Sequence, residues 1–195
     1  MIVACLAVTV VFTSCGGKGL SGTYIGYVGT KTTITFSGNN KIKIDQGEWG
    51  VREGIFELVE EYKDDDFSRG SMIITYRDNG KDEWSYKLEG KKGEILTIGR
   101  EEVFIKDGKS VKIPGGTYSY EYGSFSFSGN NLTIVNNRGD ISEHSYEFII
   151  GYEEKGISKG YLLIRGSELG ESAARCDLEK DKLTFGSGEV LQKSK

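Results

Sequence analysis

The only histidine, His144, lies in Ser142-Glu143-His144-Ser145, residue types that could supply a base, an acid and a hydroxyl. A catalytic histidine needs a positioned nucleophile or acid, and the neighbouring sequence identifies none. A surface position at a polar hairpin start is therefore expected. Glu60, Glu61, Asp64, Asp65 and Asp66 could present oxygen ligands to calcium. EF-hand spacing is absent and Lys63 interrupts the run, so a solvated hairpin tip is expected and no metal site. Cys176 offers a thiol, but it shares its alternation with Leu178. That pattern fits a small core residue better than a reactive one. One His and no paired Cys spacing argue against the usual zinc sites. The expectation is a protein with no cofactor that is not an enzyme.

With 25 basic and 29 acidic residues, the net charge of -4 argues against nucleic acid as a partner. Ile2 to Thr13 is an uncharged apolar run, too short to span a bilayer as a helix. It fits the apolar region of a secretory signal. Phe12-Thr13-Ser14-Cys15 resembles the bacterial lipobox, with Phe12 where Leu is usual. The resemblance implies cleavage before Cys15 and its acylation by chains such as palmitate. Several chains, at about 0.8 kcal/mol per buried CH₂, would hold the protein on a membrane. The expected location is therefore exported and lipid-anchored, on the outer membrane if the source is Gram-negative. Residues 1–14 are read as signal peptide, and 15–19 as lipidated cysteine and tether.

The rest of the chain is organised by a repeat. Gly22-Thr23-Tyr24 recurs as Gly116-Thr117-Tyr118, and Phe36-Ser37-Gly38-Asn39-Asn40 as Phe127-Ser128-Gly129-Asn130-Asn131. Phe56-Glu57-Leu58-Val59 matches Tyr146-Glu147-Phe148-Ile149, and Leu96-Thr97-Ile98-Gly99 matches Leu183-Thr184-Phe185-Gly186. The offset shrinks from 94 residues (Gly22 to Gly116) to 87 (Leu96 to Leu183), and it changes only between apolar runs. Residues 20–106 form one unit and 113–195 the other, with 107–112 as a polar linker.

Each unit alternates apolar and polar residues with period two, as at Ile34/Phe36, Ile42/Ile44 and Phe125/Phe127. Turn signals such as Asp78-Asn79-Gly80 and Asn137-Arg138-Gly139 separate the runs. The pattern predicts an all-β chain of two tandem antiparallel meanders with about eight strands each. Such a meander can close into an up-and-down barrel and so remove its edges. The opening Gly-Thr-Tyr resembles the first strand of lipocalin-like (calycin-like) barrels, where Gly-x-Trp is usual. The resemblance implies small barrels that fill with side chains or hold one ligand.

In the repeat alignment Trp84 faces Ala174, and Tyr86 faces Cys176. Interiors are close-packed, so either other side chains compensate or the second unit is hollow. Phe148, Tyr161, Ala174, Cys176 and Phe185 are the candidate ligand-binding residues. Two functional expectations follow. The first is a non-enzymatic binding or interaction module at the cell envelope, for a protein or polysaccharide. The alternative is a lipocalin-like carrier of a small apolar ligand in the second unit. A monomer is expected.

Overall fold

The computed structural model describes residues 20–27, 32–99, 102–106, 108–166 and 170–194. The expected signal segment, Cys15 and the tether lie outside the described residues.

The first unit contains β1 (Gly22–Gly26), β2 (Thr33–Ser37), β3 (Lys41–Asp45), β4 (Val51–Lys63), β5 (Phe67–Tyr76), β6 (Lys81–Glu89), β7 (Ile95–Ile98) and β8 (Glu102–Lys106). Each strand pairs antiparallel with the next, and β1 pairs with β8, so the sheet closes. A short strand β9 (Lys109–Val111) follows. The second unit contains β10 (Gly116–Tyr120), β11 (Gly123–Ser128), β12 (Asn131–Asn136), β13 (Ile141–Glu154), β14 (Ile157–Gly166), β15 (Gly170–Glu179), β16 (Lys182–Phe185) and β17 (Val190–Lys193). It closes in the same way, through β10 with β17 and β12 with β13.

Alternation sets the inside and outside of each wall. In β3, Ile42 and Ile44 are 2% and 3% exposed, whereas Lys41 and Lys43 face solvent. The chain is thus the all-β pair of eight-stranded barrels expected from its periodicity. The segment read as linker does more than connect. Its β9 adds to the edge of β13, with Val111 opposite Phe148 and Ser110 opposite Ile149.

The two barrels share one register. Gly70 pairs with Tyr86 in the first, and Gly160 with Cys176 in the second. Both carry a bulge at the same place, between Glu60 and Tyr62 and between Ile150 and Tyr152. Opposite each bulge is a glycine that has no room for a side chain. A Cβ on Gly70 would lie 1.9 Å from the Val59 carbonyl oxygen, and one on Gly160 2.0 Å from that of Ile149. The aromatic cores match as well. Tyr24, Phe36 and Phe56 meet edge to face at 5.5 and 5.0 Å; Tyr118, Phe127 and Tyr146 do so at 5.5 and 4.9 Å.

A third apolar cluster joins the barrels. Ile95 and Ile105 on the outer face of β7 and β8 pack with Ile149, Tyr161 and Leu163 on the outer face of β13 and β14. Burying each such side chain is worth roughly 1.5–3 kcal/mol. The extra residue of the second bulge, Gly151, admits Ile95, whose Cγ1 is 2.5 Å from where a Cβ would stand. Beside this seam Arg175 donates to the buried carboxylate of Glu89, which Lys87 also reaches at 3.2 Å.

Candidate functional site

The repeats diverge at the end of each barrel that carries the β3–β4 connection in the first and the β12–β13 turn in the second. In the first barrel this end is plugged. The inward-facing Arg52 lies with its guanidinium carbon 3.5 Å from the centroid of the Tyr76 ring. Its Nη1 is 3.2 Å from Asp82 Oδ2, to which the Tyr76 hydroxyl also donates at 2.7 Å. Burial, the Asp82 hydrogen bond and the Asp82 charge all push the Tyr76 phenol far above its ordinary pKa. Below the plug, Ile34, Ile44, Ile74 and Ile98 are at most 6% exposed, and Trp84 packs against them. Outside the plug, Val51, Arg52, Glu53, Tyr76, Arg77 and Asp78 line a shallow open depression of about 420 Å³.

In the second barrel the shared register puts Ser142 at the Arg52 position, Gly166 at Tyr76, Ser172 at Asp82 and Ala174 at Trp84. All three members of the plug are gone. The layer beneath it is uncovered in consequence. Phe125, Ile134, Ile164 and Phe185, which take the places of Ile34, Ile44, Ile74 and Ile98, are only half-buried. The layer below is tightly packed, with Tyr118, Leu132, Phe148, Leu162, Cys176 and Leu183 at 0% exposure. Among the described residues this half-buried layer lies over a packed floor, and the two together are called the cup.

One position compensates in part. In the first barrel Gly54 pairs with Tyr76; in the second, one step beyond the Ser145–Arg165 pair, the matching positions are His144 and Gly166. The ring has crossed to the other strand. A Cβ on Gly166 would lie 2.3 Å from His144 Nδ1, so the imidazole occupies the room that glycine leaves. Its Nδ1 is buried with no hydrogen-bond partner among the described residues, and its Nε2 is 3.0 Å from Ser142 Oγ. His144 is thus an inward-facing residue of the cup wall. The surface position expected from its polar neighbours is corrected, because the strand register, not the local polarity, sets its direction.

The remaining wall is aromatic. Tyr120, Phe125 and Phe185 lie on β10, β11 and β16, with ring centroids 6.2 Å apart for Tyr120–Phe125 and 5.7 Å for Phe125–Phe185. Tyr122, 53% exposed in the β10–β11 turn, stands 6.2 Å from Tyr120.

The sequence candidates divide three ways. Ala174 and Phe185 face the cup. Phe148 and Cys176 form its packed floor, where burial and then the nearby Asp177 charge push the thiol up to about 12. Tyr161 faces away from it. Its neighbour Leu162 points inward, so alternation turns Tyr161 out into the seam between the barrels. Its expected place inside the second barrel is corrected on that ground. Tyr120, Phe125, Ile134, His144 and Ile164 were not singled out as cup residues from the sequence. Extending the Trp84/Ala174 comparison to every inward position would have found them.

Of the acidic run, Asp64, Asp65 and Asp66 form the β4–β5 hairpin tip, and Glu60 and Glu61 lie in β4. Asp64 Oδ1 accepts the backbone N–H groups of Asp66 and Phe67, both at 2.8 Å, and Tyr62 donates to Oδ2 at 3.1 Å. These bonds to the charged form hold the Asp64 carboxyl below its usual range. Its oxygens are engaged in organising the turn.

The fold defines a class: a β-protein of two tandem eight-stranded antiparallel barrels, which among the described residues differ at one end, polar side chains filling it in the first and half-buried apolar ones lining it in the second. No protein-family model, curated protein or solved structure matches the chain.

Proposed function

We propose that the protein is an exported, lipid-anchored binding module whose ligand site is the open cup of the second barrel. The ligand is a small, largely apolar molecule seated on Phe125, Ile134, Ile164, Ala174 and Phe185. One observation carries this reading. Four inward positions that are sealed in the first barrel have half-buried apolar side chains in the second, above a packed floor. Half-covered apolar walls with a few polar groups at the rim, here Ser142, His144 and Ser172, suit a small-molecule site. This favours the carrier expectation over the interaction module. The anchoring half of the proposal rests on the lipobox resemblance at Cys15.

The test is fluorescence titration of the full chain with the neutral apolar probe N-phenyl-1-naphthylamine. One saturable site, lost in Ala174→Trp and retained in Trp84→Phe, is expected. No saturable binding, or binding indifferent to Ala174→Trp, overturns the site. For the anchor, Cys15→Ala should abolish metabolic acyl labelling and move the protein out of the detergent phase. Unchanged labelling and partitioning overturn it.

A second reading has its own observation. Trp49, Val51, Ile55, Val59 and Tyr62 are all large, exposed and within or beside β4. Along residues 57–63 the described strands pair with β4 only through β5, whereas β9 covers the matching edge of β13. An extended strand of an envelope protein would fit there. A Cys15→Ala chain that still sediments with the envelope, and stops doing so when Val59→Lys is added, would favour it.

A further inference from the structure

We propose that the cup selects an organic cation, an ammonium or guanidinium group carrying apolar substituents. The inference rests on the cup reading and adds the charge of the ligand.

Three observations converge on it. The first is the ring cluster. Tyr120, Tyr122, Phe125 and Phe185 stand on one wall, with neighbouring centroids 5.7 to 6.2 Å apart. Ring faces carry negative potential, and a wall of them attracts a partly desolvated cation. The second is what the protein's own cations do. Lys or Arg side chains lie over Tyr62, Phe67, Tyr76, Tyr118 and Tyr152. Among the described residues none lies over the four rings of the cup. Those four rings are exposed or half-buried and so can be reached by a cation from outside. The rim beside them carries Glu121, between the two tyrosines, and Glu189, in the turn after β16, and no Lys or Arg in either turn. Among the described residues the Glu189 carboxylate accepts a 3.4 Å bond from Ser187 Oγ, while its backbone carbonyl accepts the Phe185 N–H.

The third observation is the first barrel itself. At the same end of the same fold, the inward guanidinium of Arg52 lies on an aromatic ring with a carboxylate beside it. The duplicated fold has thus already solved the problem of holding a cation in its mouth. In the second barrel the position is Ser142, too short to reach across, and the aromatic surface has moved to β10, β11 and β16. A ligand supplies the charge that the chain no longer does.

The experiment displaces bound N-phenyl-1-naphthylamine from the full chain with three twelve-carbon amphiphiles below their micellar concentrations. They are dodecyltrimethylammonium, dodecyl maltoside and dodecyl sulfate. The ammonium should displace the probe at a concentration about tenfold lower than the neutral compound, and the sulfate should be weakest. Phe125→Leu and Phe185→Leu should each weaken displacement by the ammonium by a larger factor than displacement by the neutral compound, so that the ratio between the two falls toward one. Glu121→Gln with Glu189→Gln, both at exposed positions, should reduce it a few-fold and blunt its salt dependence. Equal potency of the neutral and cationic compounds, or stronger displacement by the sulfate, overturns the charge preference and leaves the cup intact. Failure of the probe itself to bind removes the cup, and this inference with it.

Discussion

Ala174→Trp gives the second barrel the indole that packs beneath the plug of the first, and its energetics separate a hollow from a compensated core. Trp84 packs against the first core at the matching position, so the backbone there already accepts an indole. A Trp side chain buries about 150–250 Å², and at about 25 cal/mol per Å² full burial would return roughly 4–6 kcal/mol. The cup leaves its walls half-covered, so about half of that area is removed from water. Ordering the side chain takes back a further part. The expected change is therefore between zero and about 2 kcal/mol of added stability, read as a higher urea midpoint with an unchanged slope. Forcing an indole into a well-packed interior costs about 1–3 kcal/mol instead. The two cases differ in sign. Probe binding should disappear in the same variant. Destabilisation of Ala174→Trp by more than about 1 kcal/mol would mean that the space is already filled, and the reasoning from the register would fail.

Other outcomes follow from the same geometry. Gly70→Ala and Gly160→Ala each drive a Cβ onto a backbone carbonyl at about 2 Å, so both should lose roughly 2–4 kcal/mol, and by similar amounts, in chemical denaturation; one tolerated and one not would mean that the bulges are not equivalent. Cys176 is fully buried with its thiol pushed up to about 12, so site-resolved mass spectrometry should find it unlabelled by maleimide until the chain unfolds, whereas rapid native labelling would contradict the packed floor. Burial, with Glu89 nearby, pushes the Tyr152 phenol up to about 12, and burial raises that of Tyr161. Between about pH 10 and 12 the unfolded chain then releases phenolic protons that the folded chain keeps, so stability should fall as pH rises through that window and be indifferent to these groups below it. Urea midpoints across it should show a shallower fall in Tyr152→Phe, and a flat profile in the parent would refute the assignment.

Much of the architecture was legible in the sequence because barrels obey a strict two-residue alternation. Ile42 and Ile44 in β3, or Phe125 and Phe127 in β11, announce their face without any tertiary information. The duplication was legible because one matched word, Gly-Thr-Tyr, begins the first strand of each unit and the other, Phe-Ser-Gly-Asn-Asn, turns its second hairpin. The cup was legible at Trp84/Ala174 and Tyr86/Cys176, although Cys176 proves to be floor and not wall. The plug was not, because Arg52, Tyr76 and Asp82 lie on three strands, and only their register brings an arginine onto a ring. His144 misled for the same reason, since its polar neighbours describe a loop while its strand turns it inward. Tyr161 was lost to the seam. Nothing in a single barrel's alternation says that an outer face will be covered by another barrel, and the only hint was the run Tyr161-Leu162-Leu163, apolar on both faces.

The most direct measurement is a nuclear magnetic resonance titration of the full chain, labelled at Phe rings and Ile methyls, with the neutral apolar probe. Shifts at Phe125, Phe185, Ile134 and Ile164, with Phe36, Ile44 and Ile74 undisturbed, are the predicted result. Shifts centred on the first barrel, or on neither barrel, would contradict a ligand site at the open end of the second.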